Sequence, residues 1–114
     1  METIMTFLYL NSDHMGHGDL DLGRKLLKSF LRELATSDIQ VDLVGCVNSG
    51  INLTTKDSPV LDSLQELQSR GAMIATCGTC LDFHGKRDDV IIGTIGTMDQ
   101  TVQVMAKADK IIRL

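Results

Sequence analysis

Two cysteines three residues apart are the part of this sequence best suited to chemistry. They stand in Cys77-Gly78-Thr79-Cys80, after an apolar stretch that predicts a strand and before a short helical pattern. Backbone N–H groups at a helix start favour the thiolate form of a cysteine placed there. Thiolates attack sulfur or selenium and bind metals. The segment therefore predicts a nucleophile, a redox pair or a metal-binding pair.

Of the three cysteines, Cys77 is the better candidate for the nucleophile. It ends the predicted strand, and Gly78 lets a reactant approach the backbone closely, so we expect its sulfur to be exposed. Cys80 could form a reversible disulfide with Cys77 or exchange a sulfur atom with it. Cys46 lies inside an apolar run and is expected in the core. The alternative without chemistry is that Cys77 and Cys80 pack as small buried side chains.

Zinc is a second interpretation of the same residues. The two cysteines and His84 are spaced as ligands, and His14 or His17 could complete a set of four. Structural zinc sites usually show two ligand pairs, and this sequence has one, so we expect no metal and no cofactor. A thioredoxin is excluded by the order of residues, because the single proline, Pro59, precedes the cysteines instead of following them.

The elements that must position these residues alternate along the chain. Apolar stretches predict five strands: Ile4–Leu10, Gln40–Val47, Ala72–Thr76, Val90–Ile92 and Lys110–Leu114. Amphipathic helical patterns lie between them. Continuous apolar strands that alternate with such helices indicate a parallel sheet covered on both faces. We therefore predict one α/β domain over residues 1–114.

Polar residues and glycines follow the first four predicted strands. The carboxyl ends of parallel strands meet at one edge of a sheet, where ligands bind in open α/β folds. We expect the residues of these loops to surround Cys77 and to bind the substrate. The expected substrate-binding residues are Asn11, His14, Asn48, Thr79, Gly93 and Thr94.

The composition favours a globular domain and argues against a nucleic-acid-binding or membrane protein. The chain has 114 residues, 43% hydrophobic and 23% charged, as is usual for a single globular domain. A net charge of −4 and only 4% aromatic residues argue against a nucleic-acid or anionic-membrane partner. The apolar run near the start is too short to span a bilayer and follows the acidic Glu2, so we expect a cytoplasmic protein.

Several segments resemble the DsrE/DsrF-like family of small sulfur-handling proteins. More narrowly, they resemble the C-terminal domain of YedF proteins, which are sulfurtransferase-like and linked to selenium metabolism. The most specific of these segments runs from the two cysteines to Phe83. The segments that carry the resemblance are Phe7–Gly16, Leu22–Leu27, Val47–Gly50, Leu53–Thr55, Cys77–Phe83 and Ala108–Arg113.

The resemblance implies a three-layer α/β/α fold with sheet order 4-3-2-1-5 and assembly into trimers or hexamers. It also implies a persulfide on Cys77, although the relay proteins of the family lack a cysteine at the position of Cys80. YedF proteins carry an additional TusA-like domain, so we expect a separate sulfur or selenium donor such as a TusA-like carrier. The alternatives are a metal-binding or redox module without sulfur transfer, and an oligomeric scaffold with inert cysteines.

Overall fold

The computed structural model describes residues 5–114, which form five strands and four α-helices. Ile4, the first residue of the first predicted strand, lies outside the described residues. Short 3-10 helices cover Asn48–Leu53 and Arg87–Asp89. The strands are β1 (Thr6–Leu10), β2 (Leu43–Cys46), β3 (Met73–Cys77), β4 (Thr94–Gly96) and β5 (Lys110–Arg113). The α-helices are α1 (Leu20–Thr36), α2 (Leu61–Ser69), α3 (Gly78–Phe83) and α4 (Met98–Lys107).

All five strands belong to one parallel sheet with the order β4-β3-β2-β1-β5. Parallel neighbours need a crossover connection, and α1, α2 and α3 each lie in the connection between two neighbouring strands, whereas α4 leads from β4 to β5 at the opposite edge. The predicted α/β class and the sheet order implied by the resemblance are thereby confirmed.

One face of the sheet carries the main hydrophobic core. The inward stripe of α1 includes Leu27 and Leu31, and that of α2 includes Leu64 and Leu67; all four are buried. They belong to one cluster with strand residues such as Leu8. Burying each such side chain stabilises the fold by about 1.5–3 kcal/mol. Within residues 5–114, none of the helices combines the length and apolarity that a bilayer crossing requires.

Helices lie on both faces of the sheet, as predicted, but the face opposite the main core is covered only in part, by α4. Phe7 and the ten-residue helix α4 border a common cleft on this side. Ile111 is the β5 residue paired with Phe7 and is exposed, and Met73 on β3 is 69% exposed. A single helix of this length does not cover five strands.

The predicted position of the fourth strand is wrong. The apolar residues Val90–Ile92 do not join the sheet, and Val90 instead forms an isolated antiparallel bridge with Thr55. The chain turns into β4 only at Gly93, whose φ is +78°. A Cβ atom at Gly93 would overlap the carbonyl oxygen of Ile74, so the turn requires glycine. Ile92 is buried in the main core cluster, and the backbone of Val90 and Ile91 contacts residues 54–55, so the apolar character of this segment does not reflect strand pairing.

Gly50 holds the start of the first 3-10 helix against the end of β1. A Cβ atom there would overlap the carbonyl oxygen of Leu10. We therefore expect Gly50→Ala to lower the free energy of unfolding by about 2–3 kcal/mol, because backbone must move to make room. Gly85→Ala is the control: its Cβ meets open space, and its φ of +64° costs about 1 kcal/mol. Urea denaturation measures both, and equal losses would contradict this packing.

Candidate functional site

The carboxyl ends of β1, β2 and β3 meet at one edge of the sheet, here called the rim. The N–H of Val47, just after β2, donates to the carbonyl oxygen of Leu10 at the end of β1, at 3.0 Å. The N–H of Asn48 donates to Sγ of Cys80 at 3.2 Å. The segment after β2 therefore contacts both the end of β1 and the helix that follows β3.

Cys80, the outer thiol, is half-buried within α3 at this rim. Asn48 has a φ of +52°, and its backbone N–H donates to the sulfur. Burial raises the pKa of the Cys80 thiol, the neighbouring Cys77 thiol raises it further, and the Asn48 N–H acts in the opposite direction. The thiolate at Cys80 is therefore disfavoured overall, contrary to the expectation from a helix start.

Cys77, the inner thiol, is the last residue of β3 and is only 8% exposed. It pairs with Gly96 across the sheet and lines the cleft between the sheet and α4. The prediction of an exposed Cys77 is wrong, because the strand turns its side chain toward this cleft rather than out at the rim. Both thiols are free, so no disulfide joins them.

The cleft beside Cys77 has a volume of about 50 Å³. A single buried water needs about 10–15 Å³, so the cleft admits small groups only. Phe7 and Ala75 of the sheet border it, and Thr97 and Thr101 border it on the α4 side. A capping box between Thr97 and Gln100 fixes the start of α4 next to the inner thiol.

The structure places the predicted substrate-binding residues in different surroundings. Asn48 contacts Cys80 directly, through its backbone N–H. Thr79 is exposed on α3 between the two cysteines, and Asn11 is half-buried just after β1. His14 lies in the loop that follows, where its Nδ1 is 3.0 Å from Oγ of Ser12.

Gly93 and Thr94 were predicted to lie in a loop at the rim, but they do not. Thr94 is the first residue of β4 and pairs with Ala75, two positions before the pair formed by Cys77 and Gly96. Gly93 lies one residue further from the rim. The error follows from the misplaced fourth strand, since the true carboxyl end of β4 brings Thr97 to the cleft instead.

A polar network at the rim was missed from the sequence. One carboxylate oxygen of Asp13 lies 2.9 Å from Nδ1 of His14, and the other accepts from Nδ2 of Asn52 at 2.9 Å. Nζ of Lys86 donates to Oδ1 of Asn52 at 2.6 Å, and the Asp13 N–H donates to Oγ of Ser49 at 3.1 Å. The network links the loops after β1, β2 and α3. The spacing of these residues in the sequence does not indicate the network.

Asp13 is the charged centre of this network. Burial raises the pKa of its carboxyl group, but hydrogen bonds from His14 and Asn52 and the charge of Arg24 lower it overall. The carboxylate form is therefore stabilised in the fold, and its bonds hold the rim segments together.

The proposed zinc ligands are not assembled. Within residues 5–114, no three His, Cys, Asp or Glu side chains gather closely enough to hold a metal ion. His84 is exposed at the end of α3, with its ring edge-on to Phe83 at a centroid distance of 4.9 Å. His17 is exposed in the glycine-rich loop before α1.

Two solved structures are similar in fold to this chain. The sequence matches no protein-family model and no curated protein. Among solved structures, it is similar to MTH1491 from Methanobacterium thermoautotrophicum, a protein of unknown function. That likeness has a TM-score of 0.72 and 21% identity, and covers 98% of this chain and 100% of the other. The chain is also similar to the ychN protein from E. coli, with a TM-score of 0.64, 18% identity and coverage of 98% and 100%. The chain therefore has the fold of these two proteins, the DsrE-like fold that the sequence resemblance implied.

Proposed function

We propose that this protein carries sulfur, or selenium in its place, as a persulfide on Cys77. The observation that carries the proposal is the position of the inner thiol, which lines a cleft of about 50 Å³ next to a second free thiol, Cys80. The DsrE-like fold is consistent with this role. A TusA-like protein is the expected kind of donor.

The transfer is a thiol–disulfide type of exchange. The thiolate of Cys77 attacks the outer sulfur of a donor persulfide, a new S–S bond forms, and the donor's own S–S bond breaks. The donor leaves as a thiolate, and Cys77 becomes a persulfide. An acceptor thiolate then attacks the outer sulfur of Cys77 in the same way. No external oxidant or reductant is consumed in either step.

The cleft suits a stored sulfur atom. Its volume accommodates the terminal sulfur of a persulfide but excludes a peptide segment. Apolar side chains such as Phe7 and Val104 limit access of water, and the hydroxyl-bearing residues Thr97 and Thr101 offer polar contacts. A persulfide held here is shielded from most competing thiols.

A redox module is the second candidate function, favoured by the proximity of the two thiols. Cys77 ends β3 and Cys80 lies three residues later in α3, and both thiols are free. In that case a mild oxidant would close a Cys77–Cys80 disulfide, and the protein would gain no sulfur atom from a donor.

We further propose that the protein self-associates through the partly covered face of the sheet. Met98 and Val102 lie four residues apart on α4 and are both exposed. Ile111 adds exposed apolar surface on the same side of the sheet. Exposed apolar area of this kind marks protein interfaces.

Val102→Glu should therefore shift the protein from a trimer or hexamer toward a monomer, because it places a charge in an apolar contact. Gln103→Glu is the matched control, since it adds a charge at a neighbouring exposed position of α4. Light scattering after size-exclusion chromatography measures the mass of the assembly. A monomeric parent protein, or an unchanged assembly in Val102→Glu, would contradict the proposal.

The carrier function is tested by intact mass spectrometry after incubation with inorganic polysulfide and removal of excess reagent. We expect the added mass of one sulfur atom, which a thiol reductant removes. Formation of a disulfide without any added sulfur would support the redox module instead. A protein with neither change would contradict both functions.

A further inference from the structure

Resting on the proposed function, we infer that sulfur reaches the inner thiol through the outer one. Cys80 first accepts sulfur from a donor protein that docks on the exposed side of α3, and Cys77 then takes that sulfur into the cleft. This assigns to Cys80 the role of receiving thiol, and to Phe83 the role of a docking contact.

The two thiols differ in their accessibility to a donor protein. Cys77 is 8% exposed and lines a cleft of about 50 Å³, so a cysteine persulfide on another protein reaches it less readily than it reaches Cys80. Cys80 is half-buried at the rim and has solvent access. A small inorganic polysulfide can enter the cleft, whereas a protein-bound sulfur is accepted more readily outside it.

The contacts of Cys80 fit both steps of such a relay. The Cys80 thiolate attacks the donor's outer sulfur, and the donor leaves as a thiolate. The Cys77 thiolate then attacks the outer sulfur of the Cys80 persulfide, and Cys80 leaves as a thiolate again, so bonds and charge balance. The Asn48 N–H, 3.2 Å from Sγ of Cys80, is placed to stabilise the negative sulfur before the first step and after the second.

Phe83 gives a donor protein an exposed aromatic side chain to bind next to Cys80. It follows Cys80 by three residues on α3, so both lie on the same side of the helix. Phe83 is 84% exposed, more than any other large hydrophobic residue in the part of the chain that the structure describes. Exposed aromatic residues are typical anchors of protein interfaces. The partner that this surface fits is a protein presenting a cysteine persulfide.

The test compares two donors, inorganic polysulfide and a small protein carrying one surface cysteine persulfide. Cys80→Ser should load from polysulfide within about twofold of the parent rate, but load from the protein donor about tenfold more slowly, since the receiving thiolate is missing. Phe83→Ala should slow loading from the protein donor alone. Met73→Ala is its control, because Met73 is also a highly exposed apolar residue but lies at the opposite end of β3 from Cys77.

The outcomes separate this inference from the function on which it rests. Loading of Cys80→Ser from the protein donor at the parent rate would overturn the receiving role of Cys80 and leave the carrier function intact. Equal loading of Phe83→Ala and Met73→Ala would overturn the docking surface. If the parent protein loads from neither donor, the carrier function itself fails. A circular dichroism spectrum that matches the parent protein shows that Cys80→Ser is folded.

Discussion

Replacement of Cys77 by serine is expected to lower the sulfur retained after loading by about tenfold or more, because a serine hydroxyl cannot replace the thiolate nucleophile. Sulfur accepted at Cys80 would have no cleft to enter and would stay at the rim, where competing thiols remove it. Retained sulfur is measured by intact mass spectrometry after a fixed period in dilute thiol. The comparison uses the parent protein treated in the same way.

Cys46→Ala is the matched control for this experiment. Cys46 is fully buried in the core, and burial raises the pKa of its thiol to about 12, so it contributes almost no thiolate near neutral pH. Its replacement should leave the retained sulfur unchanged. If Cys77→Ser retained as much sulfur as Cys46→Ala, the assignment of the carrier cysteine would be wrong.

Alkylation of Cys80 is expected to show the second large effect, a steep dependence on pH. Burial and the Cys77 thiol raise the pKa of Cys80, so its thiolate fraction at neutral pH lies below that of an ordinary thiol. Only the thiolate reacts, so the rate should rise about tenfold per pH unit until the pH passes the raised pKa. Peptide-resolved mass spectrometry after timed alkylation separates Cys80 from the other two cysteines.

Cys77→Ala provides the comparison for this pH dependence. It removes a neighbour that raises the pKa of Cys80, while the Asn48 N–H remains. The midpoint of Cys80 alkylation should therefore move to lower pH in this variant. A midpoint in the parent protein below that of a free cysteine would contradict the raised pKa of Cys80.

Much of the fold could be predicted from the sequence because periodicity reports burial directly. The amphipathic pattern between the first two predicted strands corresponds to α1, which buries Leu27, Leu31 and Leu34. The error at Val90–Ile92 has the same origin. These residues are apolar because Ile92 is buried and Val90 bridges to another segment, and periodicity does not distinguish such packing from strand pairing.

The candidate site was predicted less completely, because side-chain direction and distant contacts are properties of the folded chain. The order of strands brings the two cysteines and Asn48 to one edge, as expected. The sequence does not show that Cys77 lines the cleft beside α4, and so its sulfur was expected at the exposed edge of the sheet. The contact of Asp13 with Asn52, 39 positions apart, likewise depends on how the loops pack.

The central claim is that the inner thiol holds the sulfur, and peptide mapping tests it most directly. The parent protein is loaded from polysulfide, persulfides are trapped by alkylation, and fragment spectra of the peptide containing Cys77 and Cys80 locate the additional sulfur. We predict that most of it lies on Cys77. A loaded protein in which Cys77 carries no additional sulfur would contradict the account.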